Sequence, residues 1–152
     1  MENLSLAEVE TIARRAHEGQ VDKNGHPYSE HIAAVADGVA RRGGSEEQIA
    51  AGWLHDAIED DVLTREWLAA AALSDRTKAI VDALTKRPGE PPEEYAARIL
   101  ATPGALVVKR ADLAHNSSPA RLATLDAPTA ERLAVKYRRM RALLGLEGVD
   151  GD

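Results

Sequence analysis

The chain has 152 residues, the size of one ordinary domain, and its 44% hydrophobic content supports a real core although only 3% of residues are aromatic. Zero cysteines exclude disulfides, thiolate nucleophiles and zinc-finger sites, so any metal must be held by histidine, carboxylate and water. A net charge of -6 argues against an extended nucleic-acid surface but leaves room for a local basic patch facing a small anionic substrate.

Helical periods dominate and strand-like alternation is nearly absent, so the expected fold class is all-α. Ser5 with Glu8 matches a capping box and predicts a helix over residues 6–18. NGHPY then reads as a turn, and Ser29 is placed to cap a helix that runs to Arg42 and stops at Gly43 and Gly44. Ser45 with Gln48 is a second capping box, opening a helix over 46–60. Further helices are expected over 65–72, 75–86, 92–101, 104–116 and 129–144, separated by RPGEPP, TPG and SSP punctuation. No repeat or long linker divides the chain. Residues 1–146 are therefore read as a single compact helical bundle and residues 147–152 as a flexible tail.

The stretch AAGWLHDAIEDD, residues 50–61, breaks the electrostatic rules of such a helix. It sets carboxylates toward a helix C-terminus, repeats like charge at Asp56 and Asp60, and has no Lys or Arg between Glu46 and Thr64 to compensate. On a helical wheel His55, Asp56, Glu59 and Asp60 share an arc with Gly52, opposite Leu54, Ile58 and the alanines. Gly52 would leave that arc uncovered, with room for an ion and a substrate. A divalent cation resolves the charge conflict better than a solvated acidic face, which usually carries interspersed Lys or Arg. Two adjacent ligands on one helix cannot complete a coordination sphere. His31 lies in a first helical turn, where the positive helix end favours the neutral imidazole, and Asp112 shares a face with Lys109 and Asn116. Taken singly, each has an ordinary reading: a capping or surface histidine for His31, a helix ion pair for Lys109 with Asp112.

Together, AHEGQVDKNGHPYSEHIAAVA, AGWLHDAIED and VVKRADLAHN, in that order, resemble the motif segments of the HD-domain phosphohydrolases. The branch they are most similar to is the RelA/SpoT-type hydrolase and its small stand-alone relatives, which remove the 3′-pyrophosphate of guanosine alarmones. The resemblance runs from about residue 10 to about residue 145. It implies an all-helical HD domain with His31, His55, Asp56 and Asp112 as metal ligands and manganese as the usual ion; iron and zinc suit the same donors. It also implies Glu59 and Asp60 as the acidic pair that handles the water proton, and Asn116 as a substrate contact. Lys23 and Lys109 are expected to bind phosphate oxygens, and Lys136, Tyr137 and Arg138, in the basic run VKYRRMR, either border the phosphate pocket or merely favour a helix C-terminal half.

Two positions depart from the family. Its Arg that packs on the guanine base is replaced by Asp22, which cannot stack, and its Thr after the Asn is replaced by Pro119, which has no hydroxyl. Asp22 is expected to face the base, so that an Arg in its place would improve the fit. Ordinary structural readings are preferred for His17, His115, Tyr95 and Arg98, and an exposed position for His26. The functional expectation is a metal-dependent phosphohydrolase of a small phosphorylated nucleotide, an alarmone-like 3′-pyrophosphate first. Another nucleotide or small phosphoester is the alternative, and a non-enzymatic nucleotide sensor is the reading from a different class. No run approaches the roughly 18 apolar residues of a membrane span, and the acidic start MENLSLAEVE lacks signal-peptide features, which implies a cytoplasmic setting without a membrane or nucleic-acid partner. Neither oligomeric state nor base identity is legible.

Overall fold

The structure, a computed structural model, describes residues 2–146; the tail expected at 147–152 lies outside them. Nine helices and no strand are found among the described residues: α1 Leu6–Ala16, α2 Tyr28–Arg41, α3 Glu46–Leu54, α4 Arg65–Ala70, α5 Asp75–Leu84, α6 Pro92–Ala101, α7 Ala105–Asn116, α8 Pro119–Leu122 and α9 Ala127–Leu143. The only sheet-like contact described is an isolated bridge between Val21 and Pro27, which pinches the NGHPY turn. No helix is long and apolar enough to cross a membrane.

Local sequence fixes most helix starts. Both capping boxes form, each with the serine side chain accepting from the fourth residue of the box and that residue's side chain accepting from the serine amide. Thr64, Ser74, Ser118 and Asp126 cap α4, α5, α8 and α9 in the same way through their side-chain oxygens. Gly104 takes the left-handed conformation, φ 87°, that turns the chain from α6 into α7.

Several expected boundaries move, and two of the changes matter for the site. The second helix starts at Tyr28 behind Pro27, so Ser29 sits inside its first turn and caps nothing; the proline ring fixes φ for helix entry at no hydrogen-bonding cost. The helix expected over 46–60 ends at Leu54, and residues 55–60 continue as tight turns to Asp61, a non-glycine residue at φ 58°. Carboxylates are thereby spared a long helix with its negative end beneath them.

The centre of the bundle is α3, whose last five residues, Ala50 to Leu54, are all buried. It packs against α1, α2, α5 and α7, while α2 also packs on α7. The α2 interfaces are built from small residues. A side chain at Gly52 would come within 3.2 Å of the Ala36 Cα, and one at Gly38 within 3.1 Å of the Ala111 Cβ. Contrary to the sequence reading, Gly52 is buried and does not hold space open for substrate; it lets α3 lie close against α2. Around these contacts Ile32, Val35, Val39, Ile80 and Val81 are fully buried, each contributing about 1.5–3 kcal/mol by leaving water. The effect is to hold α2, α7 and the turn after α3 at a common point.

Gly52→Val is expected to lower stability by about 1–3 kcal/mol, because the backbone of Ala36 and the Val39 side chain cannot both retreat. Urea denaturation of the two proteins measures this directly; an unchanged midpoint would mean the α2–α3 contact is looser than described.

Candidate active site and metal centre

At that common point α2 delivers His31, the turn after α3 delivers His55 and Asp56, and α7 delivers Asp112. One possible ligand atom from each lies within 4.8 Å of all the others. His31 Nε2 is 3.0 Å from Asp112 Oδ1 and 3.6 Å from Asp56 Oδ2. His55 Nε2 is 3.0 Å from Asp56 Oδ2 and 3.2 Å from Asp112 Oδ1. His31, His55 and Asp112 are buried, and Asp56 is partly open. The sequence thus placed together four residues that the fold also brings together.

The outer nitrogens decide how the imidazoles point. His55 Nδ1 donates to the Gly52 carbonyl at 2.7 Å, which turns Nε2 toward the carboxylates, where a proton or a cation competes for its lone pair. His31 Nδ1 meets His115 Nδ1 at 2.7 Å, and one of the two must carry the proton. Burial, with the positive fields of His31 and Arg121, holds the His115 pKa down at about 4, so His115 is neutral. The tautomer in which His31 Nδ1 donates to His115 is the one that leaves the His31 Nε2 lone pair pointing inward. His115, read as structural from sequence, supports a candidate ligand from behind.

The carboxylates are equally constrained. Tyr28 donates its hydroxyl to Asp56, and Lys109 Nζ and Asn116 Nδ2 reach Asp112 at 2.9 and 3.1 Å. Burial pushes the Asp56 pKa up, but His55 and His31 overcome it and hold it at about 2. Burial likewise opposes the charge on Asp112, and Lys109 with the two histidines carries it well below the usual carboxylate range. Burial disfavours a charged His55, yet Asp56 and Asp112 raise its pKa well above the ordinary imidazole value. The Asp56, Asp112 and His55 shifts describe one demand, for positive charge between the two carboxylates. Two imidazole nitrogens and two carboxylate oxygens are a donor set that fits a divalent transition metal.

Beside the cluster opens a cavity of about 590 Å³, within the range of small-molecule sites. Glu59 and Asp60 line it. Glu59 is exposed and accepts the Lys86 amide at 2.9 Å. Asp60 accepts Gln20 Nε2 at 3.0 Å, and Gln20 Oε1 is gripped by His17 Nδ1 at 2.8 Å, so the amide cannot turn its oxygen toward the carboxylate. Burial, with the charge of Asp56 adding to it, raises the Asp60 pKa despite that hydrogen bond. His17 is thus the hydrogen-bonded residue expected, although its Nε2 is buried without a partner.

Lys23, Asn116, Lys136 and Tyr137 line the same cavity, while Lys109 has its ammonium committed to Asp112 and over the Tyr95 ring at 5.3 Å. Tyr95 donates to the Leu84 carbonyl at 2.9 Å and Arg98 is held by Glu90 and two carbonyls, both ordinary structural roles. His26 is exposed. Sequence reasoning missed Lys86: its pKa is lowered by burial and then by Lys109 and Lys136, and that of Lys136 by burial and then by Lys23 and Lys109. These cations crowd each other around the cavity. Arg121, from the unforeseen α8, was missed as well. Its Nη1 lies 3.1 Å from Asp22 Oδ2, so the Asp22 carboxylate is turned to an arginine and not held free for a base. An Arg at position 22 would lose this pairing and set guanidinium against guanidinium.

Residues 11–98, more than half of the chain, match the HD domain, and the chain belongs to that family. Within it the chain is related to the hydrolase domains of the RelA/SpoT type. It is 34% identical over 127 residues to a probable guanosine-3′,5′-bis(diphosphate) 3′-pyrophosphohydrolase of Synechocystis, an alignment covering 76% of this chain and 16% of the relative. It is 33% identical over 128 residues to a GTP pyrophosphokinase of Streptomyces coelicolor, covering 76% and 15%. It is 42% identical over 59 residues to the bifunctional (p)ppGpp synthase/hydrolase SpoT of Escherichia coli, covering 39% and 8%. The chain therefore spans only a small part of the length of the curated relatives it matches.

The electrostatics generate a pH test. On folding, the His55 pKa rises, so in cation-free protein its contribution is complete below about pH 6.5 and is lost as pH rises through the native value. Asp56 and Asp112 move down, so theirs is present above about pH 4 and is lost as pH falls, for Asp56 through about 2. A cation competes with the His55 proton. The rise in Tm produced by Mn2+ over chelator should therefore be larger at about pH 8.5 than at about pH 6. An equal or smaller rise at the higher pH would place any bound cation elsewhere.

Proposed function

We propose that the protein is a metal-dependent phosphohydrolase acting on a phosphorylated nucleotide, with guanosine 3′,5′-bis(diphosphate) and loss of its 3′-pyrophosphate as the favoured reaction. The observation that carries the reading is the His31, His55, Asp56 and Asp112 cluster beside a cavity edged by lysines and by the acidic pair Glu59 and Asp60. The pyrophosphohydrolase name of the Synechocystis relative supports the choice of substrate.

His31, His55, Asp56 and Asp112 would hold the cation, Mn2+ first, with Fe2+ or Zn2+ compatible with the same donors. When bound, such a cation acidifies a water and offsets charge on a phosphoryl oxygen. Tyr28, Lys109, Asn116 and His115 keep the ligand side chains in place. Glu59 and Asp60 take up the proton of the attacking water; the raised pKa of Asp60 suits it to that exchange, and Gln20 holds its orientation. Lys23, Lys86 and Lys136 hold phosphate oxygens, and an arriving anion relieves their mutual repulsion. Tyr137 lies on the same wall and closes the cavity beside them.

A metal-loaded screen of guanine and adenine nucleotides, with and without a 3′-diphosphate, tests the reading when phosphate and pyrophosphate are assayed separately. Pyrophosphate release from guanosine 3′,5′-bis(diphosphate) is expected; release of neither product from any nucleotide would overturn it. Asp56→Ala should bring bound metal to background. Glu59→Gln should keep the metal and the fold while turnover falls by about 10²- to 10⁴-fold; full turnover in that variant would move the proton to Asp60 alone.

A further inference from the structure

The pairing of Asp22 with Arg121 joins residues 99 apart in sequence. Their side chains are 4% and 17% exposed, and both residues lie on the cavity wall. All of the Asp22 carboxylate is in use. One oxygen accepts the amides of Asn24 and His26 at 2.9 and 3.0 Å, and the other accepts Arg121 Nη1. Asn24 adds a second clasp, donating from Nδ2 to the Arg121 carbonyl at 2.8 Å and meeting the Thr124 hydroxyl. The loop between α1 and α2 and the short α8 are thereby tied at two points, with the Arg121 guanidinium fixed between them.

Asp22 is the one described hydrogen-bond partner of that guanidinium, so most of its N–H donors remain available. Its charge is a different matter. A cation already paired with a buried carboxylate adds little net attraction for phosphate, in contrast to Lys86 and Lys136, which crowd one another. What the pair retains is a rigid, weakly hydrated plane with donors at its edge, suited to stacking on an aromatic face. Val21, next to Asp22 in sequence, is 62% exposed and lines the same cavity, an apolar side chain open to water. We propose that Arg121 is the group that holds the nucleobase of the substrate, stacking on it with Val21 alongside, and that Asp22 is the positioning residue that aims it. The assignment rests on the reading that the substrate is a nucleotide.

Calorimetric titration with GDP and with inorganic pyrophosphate separates base from phosphate, because the second probe has no base. Arg121→Gln should weaken GDP by about 3- to 30-fold and leave pyrophosphate within about twofold. Arg121→Lys can still pair with Asp22 and keeps the charge, so it should fold as the parent does and show the same selective loss. Asp22→Asn, which frees the guanidinium, should weaken GDP but not pyrophosphate. Parallel losses for both probes would make Arg121 a phosphate ligand; unchanged GDP binding in Arg121→Lys, or a parent that binds no GDP, would also overturn the assignment. Selective GDP loss in a protein that hydrolyses no nucleotide would instead uphold Arg121 and defeat only the proposed reaction.

Discussion

Two carboxylates facing one point, Asp112 buried and Asp56 half-buried, are the constraint on which this structure turns. Asp56 and Asp112 bring oxygens within 4.8 Å of each other, a separation at which like charges repel by about 3 kcal/mol even at an effective dielectric of about 20. The fold answers with His31, His55, Lys109, Asn116 and the Tyr28 hydroxyl. Those answers come from two helices, α2 and α7, and from the turn after α3, so these elements must approach closely enough to deliver them. Gly38 and Gly52 allow that approach. The packing of the core and the chemistry of the site are therefore one problem: a bulkier α2–α3 contact would separate the imidazoles from the carboxylates they neutralise.

Charge is also divided within a chain of net charge -6. Acidic groups and imidazoles gather at the buried cluster, and lysines gather around the cavity beside it. An anionic ligand entering this space meets attraction at the rim and, further in, a demand for positive charge that a bound cation would help to satisfy. The two requirements are complementary, because a ligand that brings phosphate to the cluster completes the neutralisation of any ion held there. Such an arrangement suits a phosphate ester better than a neutral substrate.

What could be read in the sequence was what local physics dictates. Ser5 with Glu8 and Ser45 with Gln48 announce helix starts because both partners lie three residues apart. The unbalanced charge of residues 50–61 pointed to a cation near His55 and Asp56, and the resemblance to the HD-domain phosphohydrolases added His31 and Asp112 to the set. The end of α3 was not legible, since the Gly52 carbonyl that anchors the His55 ring gives no periodic signal. Arg121 and Lys86 escaped for a related reason: isolated basic residues near helix ends look like ordinary surface. The Asp22 pairing spans 99 residues and the Gln20 contact with Asp60 spans 40, distances over which spacing carries no information.

The His31–Asp112 contact closes a loop of 81 residues, and the chain has no cysteine with which to cross-link itself. A cation shared by those two residues would act as a staple, restricting the open chain much as a disulfide does. Unlike a disulfide, such a staple needs no oxidant and comes apart when chelators compete for the ion or protons compete for its ligands. The lifetime of the folded molecule would then follow the free concentration of metal around it. Scarcity of the ion would be felt first as turnover of the protein itself, through exposure to proteases, before any count of catalytic events.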